Sequence, residues 1–472
     1  MSKYPSRQDR EELKALLTQY ENLKAGRSHS LIEEDEFERI IEYFDEKEQL
    51  AAALEASELA IEQYPFSSNL LLQKASLQIA LRLYVDALQT LEKAGLYDAR
   101  NVDLYILKTD ACLALDMQEK AAEILESALD DFSGEEKTDL LFELADVYDD
   151  YENFEKVFDC LIMILEQDAN NEEALYKICF WTDFTGRYEE SIRLHQNIIQ
   201  EFPYNELAWF NLGAAYQGLK LHEKAIDAYQ YALAIDEKFD YAYRNLGDAY
   251  IRIRKYREAI EALEKVLELS RPEYVIYEAM GYCYHKLQNF SQARFHYRKA
   301  SHLNAEDSQL HYKIAGTYMN EGAWQPAIKC LQTALSMHRM QAEYHIALGR
   351  CFVELGKYPE AISAIGQAVK MKPKNINGWV ELLQCMYRGK LFNDGIDYAA
   401  LALESTDNKP IFLFYKSLFL FAAGKSKEAM VYLENGFALY PKGFKKIIEL
   451  EPSLLRHQQV VEIAARFKKK KS

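Results

Sequence analysis

The sequence has few of the residues that interrupt helices, since its 472 residues include only 10 prolines and 19 glycines. So few turn formers argue against long loops and against a β-sandwich. No run of about 18 apolar residues occurs, so no membrane-spanning helix is predicted. The first residues, MSKYPSRQDREELKALL, lack the apolar core of a secretory signal peptide, and we therefore expect a cytoplasmic protein.

Cysteine and recognisable catalytic motifs are also scarce. The seven cysteines are scattered, and no two of them form a C-x-x-C pair, which predicts reduced thiols in a core and no zinc or redox site. The ten histidines are equally dispersed. The phosphate-binding, nucleophile-elbow and H-E-x-x-H motifs are all missing. We therefore predict no enzyme activity, no catalytic residue, no metal and no cofactor.

Basic residues are scarce in the first part of the chain. Residues 1–200 contain 19 Lys/Arg and 44 Asp/Glu, a net charge of −25, whereas residues 201–472 contain 37 and 30, a net charge of +7. Together these give the −18 of the whole chain. An acidic half attracts positively charged ligands and repels nucleic acid. Charge alone therefore predicts a basic or mixed-charge partner.

What the sequence does contain is a repeat of 34 residues. In the stretch WFNLGAAYQGLKLHEKAIDAYQYAL, Gly213 is followed by Ala225 and Ala232 at intervals of 12 and 7 residues. Self-similarity at a fixed period of about 20–50 residues indicates stacked structural units. The same small positions return at 34-residue steps as Gly247, Ala259 and Val266, as Gly281, Ala293 and Ala300, and as Gly349, Ala361 and Ala368.

Each unit contains two amphipathic helical patterns separated by a turn. In residues 206–239, apolar residues recur at spacings of three and four on both sides of that turn. The turn falls near position 15 of the unit, where some units carry a glycine. Glycine inside a helix costs about 1 kcal/mol relative to alanine. We therefore interpret Gly213 as a packing residue that lets paired helices approach closely.

The pattern resembles the tetratricopeptide repeat (TPR), whose motif is W-x2-L-G-x2-Y, then alanine, a large apolar residue, alanine and proline. Twelve units can be aligned, starting at residues 34, 68, 102, 138, 172, 206, 240, 274, 308, 342, 376 and 410, and the third has two extra residues. The resemblance implies an all-α fold, a right-handed α-α superhelix. The best unit matches through Trp209, Leu212, Gly213, Tyr216, Ala225, Tyr229 and Ala232, with Glu237 in place of the proline.

We expect four segments along this superhelix. Residues 1–33 would form an N-terminal capping helix, 34–205 five acidic repeats, 206–443 seven mixed or basic repeats, and 444–472 a C-terminal capping helix with a lysine tail. Terminal units of a solenoid need a polar outer face, and both end segments are amphipathic. The alternative is that the end helices bind a partner or a second copy of the chain.

In TPR proteins the first helix of each repeat lines a concave groove, mainly through positions 2, 5, 9, 12 and 13. Here these positions are acidic up to residue 171, aromatic in the next two repeats, and mixed or basic beyond them. The lysine and asparagine with which some family members clamp the acidic C-terminus of heat-shock chaperones are missing, so that partner is not implied. The candidate groove residues are Phe142, Asp146, Asp149, Asp150, Tyr176, Phe180, Asp183, Phe184, Phe210, Tyr241, Arg244, Asp248, Arg252, Tyr282, Lys286, Tyr312 and Arg350.

The resemblance and the charge together predict a non-enzymatic scaffold that binds a peptide segment or a partner protein in its groove. Exposed aromatic side chains are typical anchors for such partners. The alternative for these side chains is that they fill gaps between neighbouring repeats. A second functional hypothesis is binding of single-stranded RNA by the basic, Tyr-rich repeats at 240–307, since rings interleaved with cations can hold bases. The net charge of −18 disfavours RNA.

Overall fold

The computed structural model describes residues 7–27 and 31–469. Within these ranges every regular element is a helix, and short turns connect successive helices. The contacts divide the chain into two compact units, Met1–Ala242 and Tyr243–Ser472, which we call unit 1 and unit 2. The predicted all-α class is confirmed. No helix among the described residues is both long enough and apolar enough to cross a membrane.

The helices of unit 1 are short and similar in length, as expected for a tandem array. They are α1 (Arg7–Lys24), α2 (Glu34–Glu46), α3 (Leu50–Gln63), α4 (Ser68–Ala80), α5 (Tyr84–Tyr97), α6 (Val102–Leu113), α7 (Gln118–Ala128), α8 (Glu135–Asp150), α9 (Phe154–Gln167), α10 (Glu172–Thr185), α11 (Tyr188–Glu201), α12 (Glu206–Gly218) and α13 (His222–Ile235).

The next helix, α14 (Asp240–Arg252), contains the boundary between the two units. Two 3₁₀ turns, Pro441–Gly443 and Pro452–Arg456, interrupt the helices near the end of unit 2. The remaining helices are α15 (Tyr256–Leu269), α16 (Tyr274–Lys286), α17 (Phe290–Leu303), α18 (Ser308–Asn320), α19 (Trp324–Met337), α20 (Ala342–Glu354), α21 (Tyr358–Met371), α22 (Ile376–Arg388), α23 (Phe392–Ser405), α24 (Ile411–Ala422), α25 (Ser426–Leu439), α26 (Phe444–Leu450) and α27 (Gln458–Lys469).

Helices pack in chain order within each unit. In unit 1, α12 packs against α13 of its own repeat and against α10 and α11 of the preceding repeat. In unit 2, α17 packs between α16 and α18 in the same way. Each helix pair therefore buries its apolar faces only against its neighbours, which is how stacked repeats build a continuous core.

The turn inside every repeat uses a left-handed residue. In the described part of the chain, each of the twelve aligned repeats has a residue of positive φ at position 15. Four of these are glycines with φ between +72° and +79°, but eight are residues with a side chain, such as Lys220 at +62° and Arg254 at +64°. The spacing between them is 34 residues throughout, except for 36 between Asp116 and Glu152. The predicted turn position and the two-residue insertion are thus both visible in the backbone.

The small residue in the first helix faces a large side chain in the second. A Cβ added to Gly213 would lie 2.6 Å from Cε1 of Tyr229, and one added to Gly281 would lie 2.6 Å from Cδ1 of Tyr297. Both tyrosines are almost fully buried. The glycine is therefore a packing residue, because even one methyl group has no room at these helix crossings.

The end helices pack onto the repeats beside them. Leu16 and Tyr20 of α1 are buried in one cluster with Phe37 and Ile40 of α2. At the other end, α27 packs against α25, and its Val460 and Ile463 are buried. That these helices act as caps remains a prediction. Residues 470–472, part of the expected lysine tail, lie outside the described residues.

Candidate binding surface on the first helices

Several first helices of successive repeats contact one another. Within unit 1, α6 packs against α8, and α10 packs against α12, whereas α8 and α10 are linked by Lys177, which reaches Asp146 and Phe142. Tyr176, Phe180 and Phe184 of α10 keep 61%, 61% and 56% of their surface exposed. The acidic–aromatic surface, as we call it, consists of Phe142, Asp146, Asp149, Asp150, Tyr176, Phe180, Asp183 and Phe184.

A single lysine connects α8 to α10 within this surface. The ammonium of Lys177 lies 2.9 Å from Oε1 of Glu173 and 3.9 Å from Oδ1 of Asp146. It also lies 4.8 Å from the ring centroid of Phe142, a cation–π arrangement. Phe142 is only half-exposed beneath this lysine, so it supports the surface more than it presents a free ring.

Negative charge exceeds positive charge on this surface. Asp149 and Asp150 are exposed and form no ion pair with any described residue. Desolvation raises the pKa of Asp146, although Lys177 opposes this effect. Burial likewise raises the pKa of the half-buried Glu143, and Asp110, Asp146 and Asp139 reinforce it. Since burial is the largest cause of both shifts, a cation bound beside these carboxyl groups would lower their pKa values again.

The exposed rings of α10 stand on a base of two further aromatic residues. The ring centroid of Phe184 lies 4.7 Å from that of Phe154 and 5.7 Å from that of Trp181. Phe180 lies 5.0 Å from Trp181 and 6.0 Å from Phe184. Phe154 and Trp181 were not predicted from the sequence, because neither occupies a groove position of the family pattern. Their aromatic character just beside that pattern was the signal available.

Other candidate residues have stronger contacts inside the protein. Asp183 accepts a hydrogen bond from the hydroxyl of Tyr188 at 2.8 Å. The half-buried Phe210 packs against Phe239, with ring centroids 4.9 Å apart, and joins the core of unit 1. Tyr241 differs from these two residues, because 59% of its surface is exposed.

In unit 2 three of the four candidate cations are paired with carboxylates of the same chain. Arg244 binds Glu273 at 2.7 Å, Arg252 lies 3.4 Å from Asp248, and Arg350 forms a two-pronged ion pair with Glu381. The predicted basic groove is thus largely neutralised by its own side chains. The aromatic candidates there are also engaged, since Lys286 lies 5.1 Å above the ring of Tyr282 and Tyr312 stacks on Tyr344 at 4.9 Å.

Groups that could support metal or thiol chemistry are not assembled in the described residues. No group of three or more His, Cys, Asp or Glu side chains is placed there to hold a metal ion. All seven cysteines are free thiols. Burial raises the pKa of Cys160 to about 12 and of Cys351 to about 11, and such thiols are poor nucleophiles at neutral pH.

Stacked helix pairs with a left-handed turn and an exposed first-helix surface define an α-helical repeat protein. The chain belongs to the tetratricopeptide repeat proteins: residues 139–345 match the family model for the tetratricopeptide repeat protein 21 C-terminal ARM domain, and residues 342–375 match that of the tetratricopeptide repeat. A comparison with curated proteins gave no match.

Several solved TPR structures are similar to parts of this chain. The C-terminal part of a TPR repeat-containing protein from Cytophaga hutchinsonii is 17% identical over 51% of this chain and 99% of its own, with a TM-score of 0.45. A chain of the APC/C hetero-tetramer Cut9–Hcn1 is 14% identical over 84% and 96%, with a TM-score of 0.35. YrrB, described as a TPR protein with an unusual peptide-binding site, is 20% identical over 39% and 95%, with a TM-score of 0.35.

Proposed function

We propose that this protein is a non-enzymatic interaction scaffold whose acidic–aromatic surface binds a basic peptide segment of a partner protein. The observation that carries this proposal is that exposed phenylalanine rings and carboxylates without an ion-pair partner lie on the first helices of two consecutive repeats, which Lys177 connects through Asp146 and Phe142. Phe180 and Phe184 lie on α10, whereas Asp149 and Asp150 lie on α8, the first helix of the preceding repeat.

The two halves of this surface suit the two parts of a lysine or arginine side chain. The aliphatic stem can cover a phenylalanine ring, and the cationic head can reach a carboxylate. A cation over an aromatic ring contributes about 0.5–1 kcal/mol at exposed sites. Burying an exposed phenylalanine contributes about 1.5–3 kcal/mol. The rings therefore supply affinity, and the carboxylates favour a basic over an acidic partner.

The rigid support of the rings strengthens the proposal. Phe184 packs edge-on against both Phe154 and Trp181, which stack on each other, so less rotamer entropy remains to be lost when a partner covers the ring. Anchors that are fixed before binding cost less free energy to immobilise. Side chains that only filled a gap between repeats would be covered, whereas more than half of each ring is exposed.

The test uses a fluorescein-labelled peptide of alternating arginine and leucine residues, titrated by fluorescence anisotropy. Phe180→Ala with Phe184→Ala should weaken binding about tenfold or more. The matched control is Phe66→Ala with Tyr97→Ala, a second pair of exposed rings in unit 1, whose centroids lie 5.5 Å apart. That control should bind like the wild type.

The carboxylates are tested separately with Asp146→Lys, Asp149→Lys and Asp150→Lys in one variant. This variant should bind the peptide weakly, and its affinity should depend less on salt than that of the wild type. Affinity capture with mass spectrometry, comparing the wild type with this variant, would then identify the cellular partner. Unchanged peptide binding by both the aromatic and the charge variants would refute the proposal, as would tighter binding of single-stranded RNA.

A further inference from the structure

A second charged surface lies on α17, the second helix of its repeat. Arg294, Arg298 and His302 follow one another at intervals of four residues, so they share one face of the helix. Phe295 and Lys299 repeat the same interval one residue further along. Like charges four residues apart destabilise a helix by about 0.2–0.5 kcal/mol per pair, so this arrangement favours a bound counter-charge.

Glu321 supplies that counter-charge to Arg294, but the two stretches that flank this glutamate supply none. Residues 289–304 contain no Asp or Glu, and neither do residues 323–341, which include the second helix of the next repeat, α19. The absence is notable because carboxylates outnumber Lys and Arg by 74 to 56 over the whole chain.

The cations surround an open depression of about 520 Å³ between α17 and α18. Arg294 is fixed at one side, since its guanidinium pairs with Glu321 at 2.7 Å and lies 4.5 Å above the ring of Tyr318. Arg298 donates a hydrogen bond to the hydroxyl of Tyr318 at 2.8 Å. Both arginines are thus oriented by the same tyrosine.

Two cations at this depression, Arg298 and Lys299, lack a carboxylate partner among the described residues, and Nζ of Lys299 lies 5.7 Å from the ring centroid of Phe295. Both cations and His302 are exposed, and none of the three forms an ion pair with a described residue. This differs from Arg244 and Arg350 on the first helices of unit 2, each of which has its own glutamate. An apolar contact is available beside them, because Phe295 is 51% exposed.

We infer that this α17 surface is a second docking site, which binds an acidic peptide segment carrying an apolar residue. Arg298 and Lys299 pair with the carboxylates of the segment, and Phe295 contacts its apolar side chain. Charge complementarity selects this occupant over a basic one, and the exposed ring selects a peptide over a small inorganic anion.

The site is independent of the acidic–aromatic surface. It lies on a second helix of unit 2, whereas the other surface consists of first helices of unit 1. The two surfaces also have opposite charge, so they select different partners. One chain could therefore hold a basic segment and an acidic segment at the same time.

The experiment uses a fluorescein-labelled peptide of alternating glutamate pairs and single leucines, titrated against the full-length protein. Arg298→Glu with Lys299→Glu should weaken binding about tenfold or more. The matched control, Lys425→Glu with Lys427→Glu, makes the same change of charge on exposed residues at the start of α25 in the same unit. It should bind within about twofold of the wild type.

Two further variants separate charge, ring and folding effects. Lys299→Glu with His302→Glu leaves the Arg298–Tyr318 hydrogen bond intact and should lose affinity similarly, even if the first variant folds poorly. Phe295→Ala should weaken binding of the leucine-containing peptide but should not weaken binding of a peptide in which alanine replaces leucine. Equal binding by both charge variants and the control would overturn the inference. So would full competition by millimolar inorganic phosphate, or tighter binding of a uridine oligonucleotide.

The two peptides show separately whether the proposed α17 site or the proposed acidic–aromatic site is wrong. The α17 variants should bind the arginine–leucine peptide normally, and the Phe180 and Phe184 variants should bind the glutamate–leucine peptide normally. A variant that lost both peptides would indicate unfolding, which far-ultraviolet circular dichroism would show.

Discussion

Replacing Gly213 with alanine tests the packing rule that shapes every repeat. The added methyl group would lie 2.6 Å from Cε1 and 2.7 Å from Cδ1 of Tyr229, about 1 Å too close for carbon atoms. Tyr229 cannot easily move, because it is fully buried and its hydroxyl donates to Oε1 of Gln217 at 3.0 Å. Overpacking of this kind costs about 1–3 kcal/mol.

Helix propensity acts in the opposite direction, since alanine is favoured over glycine by about 1 kcal/mol in a helix interior. The expected net effect is a loss of up to about 2 kcal/mol in the free energy of unfolding. Each kcal/mol shifts the melting temperature by about 2–4 °C for a unit of 150–250 residues. Differential scanning calorimetry should therefore show Gly213→Ala melting a few degrees below the wild type.

Two further substitutions make the reasoning refutable. Gly316 is also within a helix, but a Cβ added there meets nothing within 4 Å, so Gly316→Ala should raise stability. Combining Gly213→Ala with Tyr229→Leu recreates the pair formed by Ala315 and Leu331 at the same two repeat positions. The double variant should recover part of the loss. A Gly213→Ala protein more stable than the wild type, or equal shifts for both glycines, would show that close helix packing does not explain the glycine.

Three other predictions follow from the same structure. Lys220→Gly should raise the free energy of unfolding by about 1 kcal/mol, because Lys220 is held at a φ of +62°. Urea titration measures this change, and the control Lys224→Gly in the following helix should destabilise the protein. Burial lowers the pKa of His195 to about 4, so the unfolded chain binds a proton there more readily than the folded one. The free energy of unfolding of unit 1 should therefore fall by up to about 3 kcal/mol between pH 6.5 and pH 4. Calorimetry over a series of pH values would detect this loss, and His195→Leu should make stability depend less on pH. The pKa values of Glu143 and Asp146 are raised, so both groups become protonated at a higher pH than ordinary carboxylates. Affinity for the arginine–leucine peptide should therefore begin to fall at that higher pH, and Asp146→Asn should reduce this pH dependence.

The fold was predictable because its packing positions repeat. Gly213 and the equivalent small residues recur at a fixed interval, and the structure places each of them against a large residue sixteen positions later, such as Tyr229 or Leu263. The register of the turns also followed from sequence spacing. The left-handed conformation of Lys220 and Arg254 could not be predicted from their residue types, because it is determined by their position in the repeat.

The candidate surface was less predictable, because charge at a position does not reveal its partner. Arg350 was expected to make the later groove basic, but Glu381 from the next repeat neutralises it. The residues beneath Phe184 were missed for a related reason. Trp181 is on the same helix as Phe184, but Phe154 begins the helix before it, and only the packing of the two repeats brings that ring against Phe184.

The same physical rule explains why neither proposed site uses the packing positions of the repeat. Positions that pack helices together are restricted to one size class, so they carry information about the fold and none about a partner. Arg298 and Phe180 lie outside those positions. Arg298 is a charge without a carboxylate partner, and Phe180 is a large ring that is exposed to solvent. Such costs persist where a ligand can offset them. In a protein whose core is built from one repeated contact, the departures from the repeat are therefore the best guide to what it binds.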